Sequence, residues 1–137
     1  MKCFAVIDTN VLVSALLSSK EDAATVQVAM RMLAGEIIPL YSRDTLAEYR
    51  NVLYRKKFGF SPDIVDAMLS AIEKFGLLVT PDPSGEILPD MKDLPFYEVV
   101  MDQQDDEAYL VTGNLKHFPQ KPFIVTARQL LGILDQS

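Results

Sequence analysis

The feature that most constrains this chain is the kind and spacing of its apolar runs. Cys3–Ile7, Ile37–Tyr41, Leu77–Val79, Ala108–Thr112 and Phe123–Val125 are short and nearly uninterrupted, and helix-like stretches separate them. A strand wet on one side alternates apolar with polar residues, whereas an unbroken run is buried on both faces, as in a parallel sheet covered by helices. Strands that alternate with helical patterns form βαβ units. The expected fold is therefore α/β, a three-layer α/β/α sandwich around a mainly parallel central sheet, in one domain spanning residues 1–137.

The helical stretches carry their own punctuation. Glu21–Leu33 is predicted as a helix with Val26, Ala29, Met30 and Leu33 on one apolar face, Ala24, Val28 and Met32 on the other, and Gly35 as its stop. Ser42 reads as the N-cap of a helix running to about Lys57, with Asp44 in the first turn and Leu46, Tyr49 and Leu53 facing inward. Ser61-Pro62-Asp63 opens another, with Ile64, Met68, Leu69 and Ile72 inward until Gly76. Thr80 to Asp93, rich in Pro, Asp and Gly, is a long surface loop. Phe96–Met101 is predicted as a further helix, and Thr126 as the cap of a closing helix, Ala127–Leu134.

Charge narrows the functional classes. A net charge of −6 argues against a protein that grips nucleic acid by bulk attraction. It leaves room for a nuclease, because acids gathered around a divalent cation lower the net charge while the ion supplies the local positive field. Cys3 is the one cysteine and lies within an apolar run, so it reads as a small buried hydrophobe. The first apolar run stops at Asp8, short of the roughly 20 residues of a membrane helix and unlike a signal peptide. The expectation is a soluble cytoplasmic protein with no membrane contact.

Asp8 interrupts two apolar segments with no turn composition around it, and strand ends are where open α/β sheets hold ligands. Glu48, Asp93 and Asn114 also fall near predicted strand ends or helix starts. Read singly, each is better explained by a cap, a turn or a solvated charge. Asp102, Asp105, Asp106 and Glu107 read as a solvated connection before a strand. Carboxylates brought together in a cleft would repel and partly protonate unless a cation joined them. Mg²⁺ or Mn²⁺ suits oxygen ligands, and a coordinated water then becomes a nucleophile for in-line attack on a phosphate.

At these residues the chain resembles the PIN-domain ribonucleases, most closely the VapC-like toxin components of prokaryotic toxin–antitoxin pairs. The resemblance is carried by Val6-Ile7-Asp8-Thr9-Asn10-Val11-Leu12-Val13-Ser14-Ala15, Leu46-Ala47-Glu48-Tyr49-Arg50-Asn51-Val52-Leu53, Asp90-Met91-Lys92-Asp93-Leu94-Pro95-Phe96 and Ala108-Tyr109-Leu110-Val111-Thr112-Gly113-Asn114, in the family's order. It implies a PIN-like, Rossmann-like sandwich whose acidic pocket binds Mg²⁺ or Mn²⁺ and cuts RNA. Asp8, Glu48 and Asp93 match the metal-site acids, with Asp90 as a second candidate for the third, and Asn114 completes the catalytic set. Thr9, Asn10 and Thr112 would support the pocket. Many PIN domains carry Asp where this chain has Asn114, so the resemblance implies a site that binds one metal more readily than two. Arg50, Arg55 and Lys116 are candidate RNA phosphate contacts, and His117 reads as structural or phosphate-contacting. A small antitoxin and a second copy of the chain are the protein partners implied.

Other readings stay open at this point. Haloacid-dehalogenase-like phosphatases place a second Asp two residues after the first, where this chain has Asn10. A phosphoacceptor receiver domain needs paired acids near the first strand and an acceptor Asp after the third, and Asp82 only approximates that pattern. A non-catalytic RNA- or partner-binding domain with a weakened metal pocket is the alternative that Asn114 favours.

Overall fold

Every residue of β1 (Cys3–Ile7) except Phe4 is buried, as expected for the middle strand of a covered sheet. The computed structural model describes residues 2–136 and sets β1 between β2 (Ile37–Tyr41) and β4 (Tyr109–Val111). β3 (Leu77–Leu78) and β5 (Ile124–Val125) form the edges, giving the order β3-β2-β1-β4-β5 with every pairing parallel. The helices are α1 (Thr9–Leu17), α2 (Ala24–Leu33), α3 (Arg43–Leu53), α4 (Pro62–Phe75), α5 (Leu94–Asp102) and α6 (Ala127–Asp135). α2 packs on α1 and α6, while α5 lies against β1, β2 and β4 and meets α3. The α/β/α sandwich read from the apolar runs is the observed architecture.

Capping chemistry sets several boundaries as read. Ser42 and Thr126 each accept the N–H three residues on, from Thr45 at 3.1 Å and Gln129 at 3.2 Å. Gly76 has no room for a side chain, since a Cβ would sit 2.4 Å from the Pro39 carbonyl oxygen and 2.5 Å from that of Ile72. That close approach lets the chain leave α4 and enter β3 directly beside β2.

Other expectations need correction. α2 begins at Ala24 rather than Glu21, and it buries Val28 and Met32 while Met30 and Leu33 are exposed. A helix apolar on two sides has no face preference of its own, so packing on α1 and α6 made the choice. α3 stops at Leu53, and Lys56–Phe58 forms a separate 3-10 turn closed by Gly59 in the left-handed region at φ 66°. The good helix formers Arg55, Lys56 and Lys57 hid that stop. In α4 the core stripe is Val65, Leu69 and Ile72, and Ile64 is exposed because it lies one residue, about 100° of rotation, off that stripe. α5 begins at Leu94 rather than Phe96, after a 3-10 turn at Met91–Asp93.

The Pro-rich connection before that turn is anchored: Leu88 is buried, and Ser84 N–H donates to Glu98 Oε2 at 2.6 Å. Cys3 is buried as expected, and Asp102, Asp105, Asp106 and Glu107 are exposed.

Candidate functional site

Strand order decides where a site can form. From β1 the sheet grows through β2 to β3 on one side, then resumes on the other with β4 and β5. Where winding reverses, the loops leaving the two neighbouring strands part and open a crevice at their C-terminal ends. Asp8 leaves β1 at that point and Thr112 leaves β4. Asp8 N–H donates to the Val111 carbonyl at 2.9 Å, continuing the parallel ladder, and the Thr112 hydroxyl donates to Asp8 Oδ2 at 2.8 Å.

Asn10 ties the two loops together. Its Nδ2 reaches Asp8 Oδ2 at 3.3 Å, while its Oδ1 accepts the Gly113 N–H at 3.1 Å. The Thr112 oxygen also accepts the Asn114 N–H at 3.0 Å. Behind them Tyr49, wholly buried, donates its hydroxyl to the carbonyl of Ile7 and sets its ring 5.8 Å from that of Phe96. Burial, with the Asp8 charge nearby, pushes the Tyr49 phenol up.

Asp8 is only 4% exposed and occupies the N-cap position of α1 without making a capping hydrogen bond. An ordinary helix cap therefore does not explain it. Burial raises its carboxyl to about 6; the Asp93 charge adds to that, while the Thr112 hydroxyl, the Thr9 backbone and His117 oppose it.

A cavity of about 590 Å³ lies over this network. Asp8, Thr9, Asn10, Glu48, Asp93 and Asn114 all line it, and Thr112 stands directly behind Asp8. Asp90 lines it too, while its carboxylate caps the following turn by accepting the Lys92 N–H at 3.0 Å. The Asp93 carboxyl is raised, chiefly by burial and further by Asp90 and Glu48, against the opposing hydrogen bond from His117.

His117, read from the sequence as structural or phosphate-contacting, meets one of the candidate acids. Its Nδ1 lies 3.0 Å from Asp93 Oδ2, and it lines the same cavity. The 3-10 turn Leu115–His117 after Asn114 delivers it there, a turn with no apolar periodicity to announce it.

The cations are distributed differently from the acids. Arg50 is ion-paired with Glu73 of α4 at 2.9 Å, and Arg55 is exposed at the head of the Lys56–Phe58 turn. Lys116 lines a separate groove beside β5. Lys92 is the lysine that lines the acidic cavity.

The residues present fit a hard divalent ion. The acidic end offers carboxylate oxygens, and Thr9 Oγ1, buried in the same wall next to Asp8, has no hydrogen-bond partner. Among the described residues no three His, Cys, Asp or Glu side chains form a closed cage that could hold a metal by themselves. Mg²⁺ does not need such a cage, since it keeps several waters and is commonly held by one or two carboxylates together with substrate phosphate.

The family model described as a PIN domain matches residues 5–116, an interval containing Asp8, Glu48, Asp93 and Asn114. No curated protein matches the chain by sequence. Among solved structures, the crystal structure of PAE2754 from Pyrobaculum aerophilum superposes with a TM-score of 0.60 at 15% identity, covering 99% of this chain and 91% of that one. At that identity the likeness speaks for the fold. No described helix is long and apolar enough to cross a membrane.

Proposed function

The chain belongs to the PIN-domain family, whose members are generally nucleases that use divalent metals, and on that premise we propose that it is a Mg²⁺- or Mn²⁺-dependent endoribonuclease. The observation that carries the proposal is that Asp8, Glu48 and Asp93 line one cavity at the winding reversal, with Asp8 buried and making no side-chain capping hydrogen bond.

In this reading Asp8, Glu48 and Asp93, which line one cavity, would hold the ion. When bound, the ion supplies positive charge to the scissile phosphate and acidifies a water for attack on phosphorus. The chain's own part is preorganisation. Thr112 and Asn10 fix Asp8 Oδ2, and His117 fixes Asp93 Oδ2. Thr9 lines the same cavity, and its buried hydroxyl has no hydrogen-bond partner. Asn114 adds an amide oxygen without charge, which favours one resident ion over two.

The test is metal-dependent cleavage of RNA by the wild-type protein, abolished in Asp8→Asn and Asp93→Ala. Undiminished cleavage in both variants would sink the proposal. Calorimetric titration with Mn²⁺ counts the ions, and two tight sites without RNA would contradict the single-ion reading. A toxin role, held in check by a small antitoxin protein, rests on the matching segments around Asp8, Glu48, Asp93 and Asn114. Growth arrest on expression, relieved by Asp93→Ala, is the outcome it requires. The same resemblance proposes a homodimer, and the single buried cysteine supports a cytoplasmic location.

A further inference from the structure

Asp8, Glu48, Asp90 and Asp93 line the candidate cavity, and Lys92 is the one lysine or arginine among its lining residues. Lys92 lies in the Met91–Asp93 turn that also delivers Asp93. The turn is held from Asp90, whose Oδ1 accepts the Lys92 N–H at 3.0 Å and whose carbonyl accepts the Asp93 N–H at 3.0 Å. The Lys92 side chain is exposed and, among the described residues, takes part in none of the ion pairs, which engage Arg31, Arg50 and His117. A cation thus shares a cavity with four carboxylates and is bound to none of them. The basic residues offered by the sequence as phosphate contacts are placed elsewhere. Arg50 is paired with Glu73, Lys116 lines the groove beside β5, and Arg55 is not in the cavity wall.

We infer that Lys92 is a catalytic residue of phosphodiester cleavage, its ammonium contacting a non-bridging oxygen of the scissile phosphate and supplying the positive charge that a second ion would otherwise bring. The inference rests on the metal-dependent nuclease reading and deepens it. One divalent ion offsets two of the four carboxylate charges, so a cavity with a single ion still repels the phosphate it must admit. Asn114 lines the same cavity without adding the charge that would hold a second ion. An unpaired ammonium is the remaining cation. In the reaction, the oxygen of an attacking water bonds to phosphorus as the bond to the leaving oxygen breaks, and the bonding pair departs with that oxygen. The water releases its proton to solvent, and the leaving oxygen takes one from solvent. Lys92 transfers no proton; it stabilises the charge that builds on the phosphoryl oxygens, where a fixed donor is worth more than in water. A compact ammonium on a flexible stem can follow those oxygens as the geometry at phosphorus changes.

The experiment compares the full wild-type chain with Lys92→Met and Lys92→Arg in two measurements: cleavage of an oligoribonucleotide at saturating concentration in Mn²⁺, and calorimetric Mn²⁺ binding without RNA. The expected result is a loss of about a hundredfold in the cleavage rate of Lys92→Met, the usual effect of removing one transition-state donor. Lys92→Arg keeps the charge and should recover most of that loss. The Mn²⁺ affinity of Lys92→Met should equal or exceed that of the wild type, because a nearby like charge has been removed. A structural role would lower both quantities together, so a fall in Mn²⁺ affinity alongside the rate overturns the inference. Wild-type cleavage by Lys92→Met, or failure of Lys92→Arg to recover any of the loss, overturns it too and leaves the nuclease reading standing. Absence of metal-dependent cleavage by the wild-type chain overturns both.

Discussion

The hydroxyl of Thr112 donates to Oδ2 of Asp8 across 2.8 Å, joining residues 104 positions apart in the chain but adjacent at the ends of β4 and β1. That bond opposes the burial that raises the Asp8 carboxyl. Thr112→Val keeps the shape and removes the donor, so the carboxyl should move further up. The Asp8 titration profile of the metal-free protein, followed by NMR, should shift to higher pH, and cleavage at pH 7 should fall about tenfold, the rate equivalent of a charged hydrogen bond worth about 1.5 kcal/mol. Thr112→Ser should restore both. A profile unmoved by the Val substitution would show that the bond does not tune Asp8.

Asp8 also makes metal-free stability depend on pH. Its carboxyl is raised from an ordinary 3.8 to about 6 in the fold, so between these values the native state holds a proton that the unfolded chain has released. Its contribution is fully present below pH 3.8 and is lost as pH rises through about 6, a total of about 3 kcal/mol. Asp8→Asn should therefore be more stable than wild type in EDTA at pH 7.5, with the gap closing toward pH 4. Urea unfolding at the two pH values measures this, and a pH-independent gap would refute it.

His117 should act on the metal through Asp93, whose Oδ2 it meets at 3.0 Å. Partners behind a ligating carboxylate commonly matter by tenfold or more in metal affinity. His117→Ala should weaken Mn²⁺ binding about tenfold in calorimetry. Because the ring is partly exposed, the unfolding midpoint of the metal-free protein should barely change.

Tyr49 anchors the end of β1 through its bond to the Ile7 carbonyl. Tyr49→Phe preserves the ring contact with Phe96 and removes the hydroxyl, leaving a buried carbonyl short of a partner. A loss of about 1 to 2 kcal/mol in denaturant unfolding is expected. A stability equal to wild type would mean the hydroxyl is dispensable.

How legible the site was depended on what surrounds each residue in the chain. Asp8 stood out because it broke two apolar segments, and the fold buries it. Glu48, Asp93 and Asn114 each resembled caps or surface charges, and the matching segments singled them out where residue-level reasoning could not. His117 lacked a second metal-binding partner in sequence, and its contact with Asp93 spans 24 positions through an irregular turn. The helix faces show the same limit: α2 had two apolar sides, and α4 buried Val65 instead of its neighbour Ile64.

By itself the sequence determined the α/β class, the parallel sheet and most element positions, because burial on both faces leaves unbroken apolar runs and caps leave local signatures. Only the tertiary structure decided which residues share the site. The order β3-β2-β1-β4-β5 places the ends of β1 and β4 together, and hydrogen bonds of about 3 Å then join Asp8 to Thr112 and Asp93 to His117. Strand order is a property of long-range packing between distant segments, and local periodicity carries no record of it.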